Sequence, residues 1–235
     1  MNVLLFIQNE AGGMIKQITE ASSIPEAVAK INIWDLAVKG GWIMIPITLL
    51  LFIAIAVFIE RILVINKASK EDPSFMNRIK DYIYAGKIES AINLCRTTNT
   101  PISRMVEKGI SRLGRPMNDI LVAIENVGNI EVAKLEKGFP WVATAAATAP
   151  MIGFLGTVTG MVRAFFAMAN AGVNVDITLL SSGIYEALVT TVAGLVVGII
   201  ALLAYNYLVA QVTSAVNKME MRSMEFMDLL NEPAK

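Results

Sequence analysis

Histidine is absent from all 235 residues. Its absence removes imidazole metal ligands, histidine-held haem, histidine general bases and histidine proton relays together. The single cysteine, Cys95, cannot close an internal disulfide, and an unpaired thiol fits a reducing compartment. Charge is scarce too. Asp, Glu, Lys and Arg make up 17% of the chain, against about 25% in an ordinary soluble domain. Basic and acidic residues balance at 20 each, so no basic excess points toward nucleic acid. No stretch keeps the two-residue apolar alternation of a half-buried strand.

What fills the space is apolar: 55% of the residues are aliphatic, aromatic or sulfur-bearing. Three long runs carry most of them. Trp42 to Ile59 has no charge and ends at Glu60-Arg61. Trp141 to Val162 is uncharged, meets Arg163, and continues to Ala171. Ile177 to Ala210 holds Glu186 as its one ionisable side chain apart from tyrosine. Each run approaches or exceeds the roughly 20 residues that cross about 30 Å of hydrocarbon. The expectation is an all-α integral membrane protein with three transmembrane helices and long helices extending into the cytoplasm. Met1 to Ile7 is too short to span, and it has neither the basic start nor the cleavage site of a signal peptide.

Basic residues set the expected orientation. Residues 61–140 hold thirteen Lys/Arg against nine Asp/Glu, whereas 1–41 hold three against four, and the link after Asn170 has no Lys or Arg. This gives a periplasmic segment at 1–40, a first span at 41–60 and a cytoplasmic helical domain at 61–140. A second span follows at 141–169, then a periplasmic link at 170–180, a third span at 181–209 and a cytoplasmic helix or tail at 210–235. The N-terminus is then periplasmic and the C-terminus cytoplasmic, in a bacterial inner membrane. Trp42 and Trp141 fall at opposite interfaces, where indole rings are favoured.

Local signals fill in the soluble parts. Ser23, Pro25 and Glu26 compose a capping box for a short amphipathic helix. Gly86, Pro101 and Gly114 to Pro116 separate short helices. Met117, Ile120, Leu121, Ile124, Val127 and Ile130 recur at three- and four-residue spacing, one apolar face of a helix. That helix is expected to reach Lys137 and bend near Gly138 and Pro140 into the second span. Its apolar stripe needs a cover, and the expected cover is another subunit at Ile120 and Ile124.

The spans carry few groups able to do chemistry. Gly153, Gly156 and Gly160 form a smooth face on the second span, 156–160 being a small-xxx-small pair, with Gly194 and Gly198 on the third. Pro150 removes a backbone donor and allows a bend. All of this can be helix packing alone. Glu186 is different, because a carboxylate inside a span is costly and is a functional candidate by default; the alternative is a structural pair with Arg163 near the outer interface. Thr157, Thr190 and Thr191 supply hydroxyls that either bond their own helix carbonyls or order water around a charge. On helical angles Thr190 lies about 40° round from Glu186 and Thr191 about 140°, and Thr157, Thr190, Thr191 and Glu186 are the expected pore-lining set. A hydroxyl does not hold a proton near neutral pH. If protons pass, the titrating group is Glu186 or lies on another chain. The spans contain no serine–lysine or paired-aspartate set, so no enzyme, cofactor or metal site is expected.

These motifs in this order resemble the MotA/TolQ/ExbB proton-channel family, and most of all its three-span ExbB/TolQ branch. The resemblance runs from about Lys39 to Asn206 and rests on several pieces. They are Lys39-Gly40-Gly41, Glu60-Arg61, the Gly86, Ala91, Cys95 and Pro101 pattern, Leu135-Glu136, Ala149-Pro150 through Gly153, Leu155-Gly156-Thr157-Val158 and Gly160-Met161, and Glu186-Ala187-Leu188 through Thr190-Thr191, Gly194-Leu195 and Tyr205-Asn206. It implies a homopentameric ring around the single spans of an ExbD/TolR-type dimer, whose aspartate carries the proton. It implies that Thr157 and Thr191 line the channel with Glu186 on the same wall, and that a TonB/TolA-type protein receives the work. Two positions depart from the pattern: Ile200 stands where many relatives have proline, and Arg163 where many have a neutral residue. A TolQ-type role in the Tol-Pal system and a structural scaffold for a secretion or gliding machine are the alternatives. A four-span flagellar stator fits less well.

Overall fold

The structure is a computed structural model and describes residues 40–70, 72–170 and 177–231. The capping box at Ser23, Pro25 and Glu26, Lys39, and most of the 170–180 link lie outside the described residues. Every regular element described is helical. A single 3-10 turn, Gly41–Ile43, leads into α1 (Met44–Ala68). Four shorter helices follow: α2 (Phe75–Tyr84), α3 (Ile88–Thr98), α4 (Pro101–Ile110) and α5 (Met117–Leu135). The last two are long, α6 (Phe139–Asn170) and α7 (Ile177–Asn231). Three stretches, Gly41–Ala68, Phe139–Asn170 and Leu180–Asn231, are long and apolar enough to cross a membrane.

Each boundary has a local cause. Asp72 accepts hydrogen bonds from the Ser74 backbone (2.9 Å) and hydroxyl (2.7 Å) and pairs with Arg78, tying down the start of α2. Gly86, at φ +68°, turns the chain into α3. Thr100 and Ser103 cap α4 reciprocally: the Ser103 N–H donates to Thr100 Oγ1 at 3.2 Å, and the Thr100 N–H donates to Ser103 Oγ at 2.9 Å. Pro101 takes the first helical position, where a missing N–H costs nothing. Between Gly198 and Asn231 there is neither glycine nor proline. The third span and the expected separate tail are accordingly one 55-residue helix. Pro150 sits inside α6 without ending it.

The break between α5 and α6 falls where expected, though α5 stops at Leu135 rather than Lys137. Gly138 adopts φ +92° there, a left-handed conformation that a residue with a Cβ resists. Arg61, 7% exposed at the end of the first apolar run, donates from Nη1 to the Lys134 carbonyl at 3.2 Å. A guanidinium at the carbonyl end of α5 is favourably placed against its dipole. Span and elbow are thereby tied together.

Beyond that elbow, α2 to α5 pack with the far half of α7 around Phe75, Ile79, Cys95, Val106, Ile110, Ile124 and Phe226, all at most 2% exposed. This corrects one expectation. Ile120 (3%) and Ile124 (0%) are covered by their own chain, chiefly by α4 and by Phe226 of α7, and need no second subunit. Sequence spacing identified the stripe, but α7 reaches back to cover it. What stays open on α5 is Val122 and Ile130.

Candidate functional site

Helices α6 and α7 pack along most of their shared length, and small residues make this possible. A Cβ on Gly194 would stand 2.5 Å from the Ala149 carbonyl oxygen, and one on Gly153 would stand 2.9 Å from the Thr190 carbonyl oxygen. Gly160 faces Gly183 and Ala187, while Gly198 makes room for the Pro150 ring. Backbone thus meets backbone across this seam, as close small-residue contacts between spans require.

The three threonines divide over the seam. Thr190 is 1% exposed; its hydroxyl donates to the Ala187 carbonyl at 2.7 Å and lies 3.5 Å from the Gly153 carbonyl. The space it occupies is the one Gly156 leaves empty. Thr190 is therefore set apart from the open face on which it was expected, as a packing residue held inside the chain. Thr157 and Thr191 are half-buried and come together, with their Oγ1 atoms 3.5 Å apart. Thr191 donates to the Gly153 carbonyl at 3.0 Å, and Thr157 to the Phe154 carbonyl at 2.6 Å. Each hydroxyl has one proton, and each proton is engaged. The remaining lone pairs can accept a hydrogen bond from water or from a protonated acid.

Glu186 lies about 7.5 Å before Thr191 along α7, at about 1.5 Å of rise per residue. Its Oε1 is 3.9 Å from Arg163 Nη1, the pairing considered from the sequence. The carboxylate also abuts Gly41, where a Cβ would overlap Oε1. The first span, Arg163 and Glu186 therefore share one level. Twenty-two residues separate Trp141 from Arg163, about 33 Å of helix and close to the thickness of the hydrocarbon core. Glu186 thus belongs to the end of the spans away from the α2–α5 bundle. The two threonines lie inside, and no other carboxylate falls between Trp42 and Ile59 or within α6.

Sequence reasoning missed a second buried charge cluster. Glu131, 3% exposed, accepts from Arg104 Nη2 at 2.5 Å and from Lys134 Nζ at 2.7 Å. Burial pulls its carboxyl upward, but the hydrogen bonds from Arg104 and Lys134 outweigh that and hold it below the ordinary value. A polar residue in line with the stripe at Ile120, Ile124 and Val127 was the available signal. Cys95, fully buried in the bundle, has its thiol pushed up to about 12 by burial and by the nearby Glu107 carboxylate. Among the described residues, no three Cys, Asp or Glu side chains converge as metal ligands.

A biopolymer transport protein ExbB homolog of Methanothermobacter thermautotrophicus is 28% identical over 164 residues, covering 69% of this chain and 58% of the relative. The chain thus spans well under two thirds of that relative's length. The Tol-Pal system protein TolQ of Haemophilus influenzae is 29% identical over 202 residues, covering 79% and 88%. The biopolymer transport protein ExbB of Neisseria gonorrhoeae is 30% identical over 162 residues, covering 63% and 72%. Residues 97–221, which contain the small-residue seam, the threonine pair and Glu186, match the MotA/TolQ/ExbB proton channel family, and the chain belongs to that family.

Proposed function

We propose that the chain is the proton-channel, stator-like subunit of an inner-membrane motor. With an ExbD-type partner it couples the proton motive force to TonB-dependent transport across the outer membrane. Five copies form a ring around the single spans of a partner dimer, with the α2–α5 bundle in the cytoplasm. The observation that carries this reading is the Thr157–Thr191 pair, whose lone pairs are free to accept while both protons are engaged. Such a pair suits a protonated carboxylic acid brought by another chain. The acid donates its proton to a hydroxyl oxygen while neutral, and on ionising it passes the proton to ordered water. The threonines position that acid and hydrate it; they do not store the proton.

The second reading is TolQ-type service in the Tol-Pal system, favoured by the long match to the Haemophilus protein of that name. Chemistry at the threonine pair would be the same and the partners would differ. A scaffold that only packs is the third, and the hydroxyls separate it from the other two. Valine keeps the shape of threonine and loses the oxygen. A strain lacking the gene is complemented with wild type or with Thr157→Val/Thr191→Val, and energised uptake of an iron chelate or cobalamin is measured alongside membrane assembly. Uptake lost in the deletion and in the assembled double variant is expected. Normal uptake in the deletion moves the assignment to the Tol-type role; full activity of the double variant leaves only a scaffold.

A further inference from the structure

At the end of the spans away from the bundle, a cleft of about 700 Å³ lies between α6 and α7 beside the close contact of Ala164 with Gly183. Arg163, Ala164 and Ala167 form one wall, and Ser181, Tyr185 and Glu186 the other. Most of its lining is apolar, but charge and hydroxyls are set into it. Hydroxyls and an ion pair line it, while the outer surfaces of the same helices carry Phe154, Phe166, Leu188 and Val192. An open cleft of this size that holds an ion pair admits water where it faces a membrane surface. By the helix rise, the cleft lies at the level where the hydrocarbon ends.

The charges in the cleft are unevenly held. Glu186 is fixed from two sides, by Gly41 and by Arg163, and its side chain is 34% exposed. The Arg163 side chain is 60% exposed and reaches into the open part. The guanidinium is thus the more accessible of the two charges. Glu186 alone would make the cleft a trap for metal cations. With Arg163 beside it the net charge of the pair is zero.

We propose that this cleft is a water-filled vestibule whose charge selectivity is set by Arg163, which neutralises Glu186 and keeps inorganic cations from collecting there while leaving water free to enter. Its use as a proton inlet rests on the proton-pathway reading above; its hydration and its charge do not. A proton needs no free carboxylate to cross such a space, because it moves along hydrogen-bonded water. A sodium or potassium ion needs compensating oxygens, and the one carboxylate here is already paired.

The buried, protonated Cys95 makes a direct test possible, because a cysteine placed in the cleft is the reactive thiol in the folded chain. Ser181→Cys, and independently Ala167→Cys on the opposite wall, are made in the full chain. Each is treated in spheroplasts and in inverted membrane vesicles with a matched pair of small methanethiosulfonate reagents, one anionic and one cationic. The expected result is reaction from one membrane face, at comparable corrected rates for the two reagents. Adding Arg163→Gln is expected to shift the rate ratio toward the cationic reagent by roughly tenfold, the effect of one uncompensated charge a few ångströms away in partly aqueous surroundings. Arg163→Gln/Glu186→Gln is expected to bring the ratio back. Thiols at both positions that stay unreactive in membranes overturn the vestibule, and a ratio unmoved by Arg163→Gln overturns the selectivity role. Neither outcome depends on proton flux, so a channel that fails to conduct counts against the functional reading alone.

Discussion

Within the α2–α5 bundle, two side chains report on how dry and how charged the interior is. Cys95 has its thiol raised to about 12, so the nucleophilic thiolate is nearly absent at neutral pH. Maleimide is expected to leave the native protein unmodified and to label one thiol per chain after denaturation; labelling of the native fold contradicts the burial. Glu131 behaves oppositely. Its folded-state pKa is depressed below the ordinary 4.5, so its stabilising contribution is complete above about that pH and is lost as the pH falls through the lower folded value. Glu131→Gln is expected to destabilise the bundle by about 1–3 kcal/mol near neutral pH, the cost of leaving buried donors poorly matched, and to flatten the acid limb of a thermal unfolding profile. An unaltered acid limb means that the charge contributes nothing there. The Glu131 pairing is not visible in the sequence, because Arg104, which also donates to Asn99, reaches Glu131 through the α4–α5 packing.

Among the helices, the sequence was most legible where one physical cause dominates. Hydrocarbon thickness alone locates three spans, and Gly86, Pro101 and Gly138 mark breaks because the backbone demands them there. Amphipathic spacing found the right face of α5 and the wrong cover for it. Periodicity says that a face is buried but not by what, and a 55-residue α7 returning past the membrane is a tertiary fact. Ile124→Asp accordingly tests folding, not assembly. It is expected to cost about 3–5 kcal/mol as an unpaired buried charge, read as protease sensitivity of residues 72–135 with the spans still inserted. A resistant bundle in a dissociated oligomer would restore the intersubunit role. On the seam, Gly156→Val forces a side chain into the place of Thr190. Overpacking of this kind costs about 1–3 kcal/mol, and a lower unfolding temperature in detergent is the expected readout, with no change weighing against the close approach of α6 and α7.

Taken whole, the molecule places a half-buried hydroxyl pair about 24 Å of helix beyond Trp141 at the bundle end of the spans, with α7 continuous from the pair to the bundle. A single helix thus joins Thr191 to Phe226 in the bundle core. The family resemblance singled out Thr157 and Thr191 from the motifs, and the geometry brings their oxygens together. Helical angles alone placed Thr190 nearest Glu186 and did not show that Gly156 would draw its side chain into the seam. Of the candidate groups, Glu186 is the one whose place sequence left open between function and pairing, and the ion pair with Arg163 is present. The measurement that tests the central claim most directly is proton flux into vesicles holding the chain together with the proposed ExbD-type partner. Wild type and Thr157→Val/Thr191→Val are compared at equal oligomer content. The account predicts proton uptake by wild type and a loss of at least about tenfold in the double variant, as removing hydrogen-bonding groups from a proton path costs; equal flux from the two proteins would contradict it.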